Sequence, residues 1–401
     1  MKTLYDRILR ESKSMQDETV RILMDLIRIP SFSSKEKEAI RFLEREMENI
    51  GFDEIRIDGL GSVIGRIGSG RKSIAFDGHA DIVRPGDRAQ WSFDPFQPKI
   101  EKGKVWGRGS VDQKGGLAAM LSAARLIRKL NLNNDLQVYF TGTVMEEDCD
   151  GLCWQHLITE EKLRPDAVVV TEPTNLRLYR GHRGRMEIRL EVKGRSCHSS
   201  TPERGDNAIY KLSRIALEIE KLNGRLLPDP SLGKGSISVT EAGSSSPSSC
   251  AVPDGASLRI DRRLTRGETK ETAIAEVYGA ARSAGFDDVK VNVLTFEEPA
   301  YTGKVYPSEK YYPTWSLDEG SPFHSAAVDV YAGVFGKSPV VGMWGFSSNA
   351  AAIAGRYGIP CLLLGPGNEL LAHTANEACE IEQLTDAAAF YAALVAKLSG
   401  G

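Results

Sequence analysis

Four short apolar runs rich in strand formers, at 73–76, 136–144, 167–170 and 361–364, are separated by stretches with the apolar period of amphipathic helices, such as 116–130. Runs that are apolar throughout belong to strands buried on both faces. The alternation therefore predicts an α/β layer with a mostly parallel central sheet flanked by helices. The pattern changes after Gly181, where Met186, Ile188, Leu190 and Val192 alternate with polar residues, as in a strand with one exposed face. A helix at 207–222, strands at 236–239 and 256–264, a helix opening on the capping-box spacing Thr265-x-x-Glu268 and a strand at 289–294 complete a β-α-β-β-α-β order. After residue 296 the α/β pattern resumes, with a helix starting at Ser321-Pro322, another after Asn349 and a last one from about Ile381. The expectation is one α/β domain, residues 1–181 and 297–401, carrying an inserted ferredoxin-like α+β domain, residues 182–296. The first sixty residues read as two helices and a strand. The second of these helices opens on the spacing Ser33-x-x-Glu36 and places Ile40, Leu43, Met47 and Ile50 on one face.

Charge and composition exclude several classes of function. With 51 basic and 54 acidic side chains the net charge is −3, which gives no general attraction to nucleic acid or to an anionic membrane. No run approaches the ~18 consecutive apolar residues of a membrane span. The N-terminus mixes acids with bases where an export signal needs an apolar segment, so a cytoplasmic location is expected. Six cysteines are too few for a disulfide framework, and the pair Cys149-x3-Cys153 lacks the second pair that a structural zinc requires.

Open α/β sheets bind ligands beyond the carboxyl ends of their strands. The residues that follow the apolar runs are His79 and Asp81, then Glu146 and Glu147, then Glu172, and late in the chain His373. The segment after Val105 adds Asp112. Five strand ends thus deliver metal-capable side chains to one edge. Oxygen and imidazole donors without thiolate suit zinc or a similar divalent ion in a catalytic site. Two residues from His79 on extended chain, Asp81 is expected to accept from the imidazole and fix its tautomer.

These residues resemble the di-zinc hydrolases that include acetylornithine deacetylase, succinyl-diaminopimelate desuccinylase, aminoacylase and glutamate carboxypeptidase. The segments TGTVMEEDCDGLCWQ, GHRGRMEI, SCHSSTPERGDNAI and YPSEKYYPTW are most similar to the selenium-metabolism-linked hydrolase subgroup. The resemblance implies two divalent metal ions, zinc first with cobalt or manganese as alternatives, bridged by Asp112. Glu147 and His373 would complete one metal site, and His79 and Glu172 the other. It further implies Glu146 as the general base acting on a metal-bridging hydroxide, with an amide bond of an N-acyl amino acid or short peptide as the target. The inserted domain becomes a lid and homodimer contact carrying His198 for the oxyanion. Arg263 is implied to hold a substrate carboxylate, and Asn349 to line the pocket. Cys250 stands where many of these hydrolases have asparagine, which loosens the transfer of any one substrate.

Two other enzyme classes lack their motifs: there is no G-x-S-x-G elbow, and Gly59, Gly61 and Gly65 miss the dinucleotide spacing. A non-catalytic metal- or amino-acid-binding relative would be expected to lose the base or a ligand, and all six are present.

Overall fold

A computed structural model describes residues 1–400. Its larger sheet runs Glu54–Ile57, Val63–Ile67, Leu136–Thr143, Lys72–His79, Ala167–Val170, Cys361–Leu363, Leu178–His182, Trp315–Ser316, with Val341–Trp344 also paired to Leu178–His182. The central four strands are parallel. Burial on both faces explains their apolar sequences. Ile74 and Phe76 pack toward the helices Lys114–Leu130 and Ile381–Leu398, while Ala75 between them faces Trp154 and Leu157 of Leu152–Thr159 on the opposite side.

The smaller sheet has the order Ser236–Ser245, Gly255–Leu264, Gly184–Lys193, Val289–Val293, all antiparallel, with Tyr311–Tyr312 added beside Gly184–Lys193. In chain order that is 2-3-1-4, the ferredoxin-like arrangement, with its own apolar core shared with helices Ala208–Arg225 and Lys270–Ser283. Alternation sorts Gly255–Leu264 as expected. Leu258 and Ile260 are buried, while Arg259, Asp261 and Arg263 lie on the other face. No helix among the described residues is long and apolar enough to cross a membrane.

Several local expectations are corrected. The N-terminal segment forms three helices, Lys2–Ser14, Gln16–Ile27 and Lys37–Ile50, because the chain breaks at Met15 with neither Gly nor Pro to announce it. Ser33 and Glu36 form no capping box: both side chains turn inward, to partners described below. Glu268 does accept from Thr265, but in a turn ahead of the helix, which opens instead on a box made by Thr269 and Thr272. Finally, Lys104–Trp106 lies outside the larger sheet, paired with Lys99–Glu101 and Ala378–Glu380. Asp112 therefore reaches the site from the start of helix Lys114–Leu130 and not from a strand of the main sheet.

Candidate active site

His79 ends one central strand, Glu146 and Glu147 follow the next, and Glu172 lies just beyond Ala167–Val170. His373 comes from the loop after Cys361–Leu363. That loop passes close to the strand ends only because residue 365 is glycine: a Cβ there would stand 2.1 Å from the Thr171 carbonyl oxygen and 2.4 Å from that of Glu172.

Asp112 joins the two halves of the cluster. Its Oδ1 is 3.1 Å from His79 Nε2 and its Oδ2 is 3.1 Å from His373 Nε2. Glu147 Oε2 is 3.1 Å from the same His373 nitrogen, and Glu172 Oε1 is 3.9 Å from His79 Nε2. Donor atoms of His79, Asp112 and Glu172 all lie within 4.8 Å of one another, as do those of Asp112, Glu147 and His373. Glu146 belongs to neither trio, yet its Oε2 lies 3.7 Å from His79 Nε2.

Burial and crowding govern the protons. Burial pushes Glu146 and Glu172 well above the usual carboxylate range, and neighbouring acids add to the effect. Glu147 rises to about 7, by burial and then by Asp112. His79 is raised well above the ordinary imidazole value despite burial, which acts the other way, because Glu146, Asp112 and Asp81 surround it. Hydrogen bonds to Asp112 and Glu147 lift His373 to about 10. Burial opposes ionisation of Asp112, but the two imidazoles hold it below the usual range. Buried carboxylates crowded together in this way resist carrying their charges uncompensated, and divalent cations would supply the compensating charge. Glu147 Oε1, buried and without a partner, is a further donor free for a cation. The hard oxygen and imidazole donors fit two divalent ions sharing Asp112.

The supporting contacts differ in one respect from expectation. His79 Nδ1 meets the backbone carbonyl of Asp81 at 2.9 Å, whereas the Asp81 carboxylate is 3.4 Å away. The carbonyl can only accept, so it fixes the proton on Nδ1 and leaves Nε2 free for a ligand. The Asp81 carboxylate instead accepts from the amides of Glu146 at 3.2 Å and Glu147 at 3.0 Å and from Ser33 Oγ at 2.8 Å.

Glu377, which sequence reasoning passed over, ties the two ligand loops together. Its carboxylate accepts from the amides of Gly109, Val111 and Asp112 and from Arg108, whose side chain is also buried. Only its position four residues after His373 could have drawn attention to it.

A cavity of about 290 Å³ opens over the cluster, with Arg185, Arg263, Trp344 and Phe346 on its walls. Arg263 also donates to Asp261 at 2.8 Å. Arg185, likewise unforeseen, faces Asp150, Glu187 and Asp261. Asn349 lies behind the cavity, 1% exposed, donating to Asp77 and Thr143 and accepting from Gly151 and Cys153, while its neighbour Ser347 reaches the wall. His198 lies on the exposed part of the small domain, against Ser200 at 2.7 Å, and does not line the cavity. Cys149 and Cys153 are buried and in neither donor trio, and burial pushes the Cys149 thiol up to about 11.

A family profile described as peptidase family M20/M25/M40 matches residues 75–397. The chain is 46% identical over 390 residues to uncharacterized protein YgeY of Escherichia coli (strain K12), covering 97% of this chain and 96% of that one. It is 29% identical over 395 residues to succinyl-diaminopimelate desuccinylase of Methylocella silvestris, covering 93% and 96%. Among solved structures, the di-peptidase Dug1p from Saccharomyces cerevisiae superposes with a TM-score of 0.74 at 18% identity, covering the whole of both chains.

Proposed function

We infer, since the chain belongs to peptidase family M20/M25/M40, that it is a metal-dependent hydrolase cleaving an amide bond of a small carboxylate-bearing substrate, an N-acyl amino acid or a short peptide. The observation that carries this reading is the pair of donor trios sharing Asp112, with the buried carboxylate of Glu146 beside them and in neither. One ion would be held by His79, Asp112 and Glu172, the other by Asp112, Glu147 and His373. When bound, such ions supply Lewis acidity and bring the pKa of water from about 15.7 to about 7.

Glu146 acts on the proton. Its carboxylate takes one from the attacking water and returns it to the departing amine nitrogen. Arg263, on the cavity wall, offers a planar fork of donors matching a substrate carboxylate. Its bond to Asp261 holds the guanidinium in place between turnovers. The names of two similar proteins, a desuccinylase and a di-peptidase, support substrates of this size and charge. The test is a screen of N-acyl amino acids and dipeptides with zinc, cobalt or manganese supplied. On the best substrate, Arg263→Ala should lower kcat/KM by about 10–100-fold, the worth of a charge-assisted hydrogen bond, and by less than about threefold on its methyl amide. Equal losses on the two would leave the arginine to its pairing with Asp261.

The assembly that suits this chemistry is a homodimer through the small domain. Ser236–Ser245 is an edge strand of the lid sheet. Beside it helix Ala208–Arg225 exposes Ile209, Tyr210 and Leu217, and the hollow between them is lined by Leu212, Ala216 and Val239. An unpaired edge with apolar neighbours invites a twin across a two-fold axis. His198 of the partner subunit would then reach the carbonyl oxygen, which accords with this chain's own His198 being exposed and outside the lining of its cavity. Mixing Glu146→Gln with His198→Ala subunits is expected to restore part of the activity, because one site of each mixed dimer has both residues. Confirmed heterodimers without rescue would mean that His198 acts within its own chain or not at all.

A further inference from the structure

Consecutive residues on an extended chain point to opposite faces, so Glu146 and Glu147 can face one cluster only if the backbone turns there. The turn is made by Met145, a buried non-glycine residue at φ +62°. That left-handed conformation is unfavourable for methionine and persists only where surrounding contacts impose it. The contact is Glu36. Its Oε1 accepts from the Met145 amide at 3.1 Å and from the Ser34 amide at 2.9 Å. Ser34 is itself left-handed, at φ +65°. One oxygen thus fastens two strained points from segments 111 residues apart. Together Glu36 and Asp81 take the three successive amides of Met145, Glu146 and Glu147, and Ser33 ties Asp81 to the same N-terminal turn.

We propose that Glu36 is a positioning residue for hydrolysis, holding the left-handed turn at Met145 so that Glu146 faces the proton and Glu147 the cation. It rests on the reading of Glu146 as base and Glu147 as ligand. The side chain is wholly buried and in neither donor trio, and its second oxygen has no hydrogen-bond partner. What it supplies is therefore a single acceptor at a fixed distance. Glutamine retains that acceptor, whereas aspartate keeps the acid but draws it back by one methylene.

The experiment compares Glu36→Gln and Glu36→Asp with wild type. Gln is expected to keep kcat within about threefold. Asp is expected to lower kcat by about 10–100-fold, the usual cost of disturbing a ligand's support, with KM changed by less than about threefold. The affinity of the metal-free protein for Zn²⁺, titrated without substrate, should weaken in Asp by a similar factor and not in Gln. Amide hydrogen exchange of a peptide spanning 143–149 should quicken in Asp alone, and by more than that of peptides elsewhere in the chain. A Gln variant as impaired as Asp, or an Asp variant unchanged in exchange and zinc affinity, would overturn the assignment of Glu36. A wild-type chain that neither binds divalent ions nor hydrolyses amides would defeat the reading of the site instead, and the exchange comparison would still decide what Glu36 holds.

Discussion

Glu146→Gln is expected to retain both metal ions and to lose about 10²–10⁴-fold in kcat, the usual cost of removing a general base. The amide is nearly isosteric with the carboxylate, and the backbone at 146 stays bonded to Asp81 whatever the side chain. What glutamine cannot do is accept the proton of the attacking water. Glu146 lies in neither donor trio, so metal analysis should not change. Stability should not fall either. Burial disfavours the charge of Glu146, and Glu172, Asp150 and Glu147 add to that against the attraction of His79, so a neutral amide relieves the burial and crowding while giving up one attraction. Such gains are typical where an active site holds groups for chemistry at the expense of stability. A variant with near-normal turnover would require another base, and one that lost metal would make Glu146 a ligand.

Much of this architecture could be read from residue periods, since periods are local. Strict alternation over Gly255–Leu264 separated Leu258 and Ile260 from Arg259, Asp261 and Arg263, and apolar runs marked the central strands whose ends carry His79, Glu146 and Glu172. Partners chosen by the tertiary fold left no such trace. The spacing of Ser33 and Glu36 matches a capping box, yet the carboxylate bonds an amide 109 residues away. Glu377 serves Arg108 across 269 residues, and nothing near either one in the chain announces the pair. Asn349, expected to line the pocket, lies behind the cavity, its amide consumed by Asp77, Thr143, Gly151 and Cys153. Asp112 is placed at the site edge by its position after Val105, and its bridging role only by resemblance. Its route into the site, from a helix start beside a separate small sheet, was not legible, because Lys104–Trp106 has the composition of any short strand.

Asp112→Ala should have the opposite signature to Glu146→Gln, losing metal and rate together. Asp112 is the one residue common to both donor trios, with one oxygen toward each histidine. Removing it leaves His79 with Glu172 on one side and Glu147 with His373 on the other, two protein donors each where a catalytic zinc site usually has three. Metal content is expected to fall from about two per chain to near zero, and turnover to background. Thermal melts supply a check independent of substrate. An ion that binds only the folded chain stabilises it by RT ln(1 + [L]/Kd), about 2.7 kcal/mol at a hundredfold excess over Kd. Chelation should therefore lower the melting temperature of wild type, and added zinc should restore it. The Asp112→Ala protein should melt at the same temperature with or without zinc, because no trio remains to bind it. A variant that still held one ion tightly would show that the two sites are independent, and Asp112 would then be a ligand of one metal and not the bridge between two.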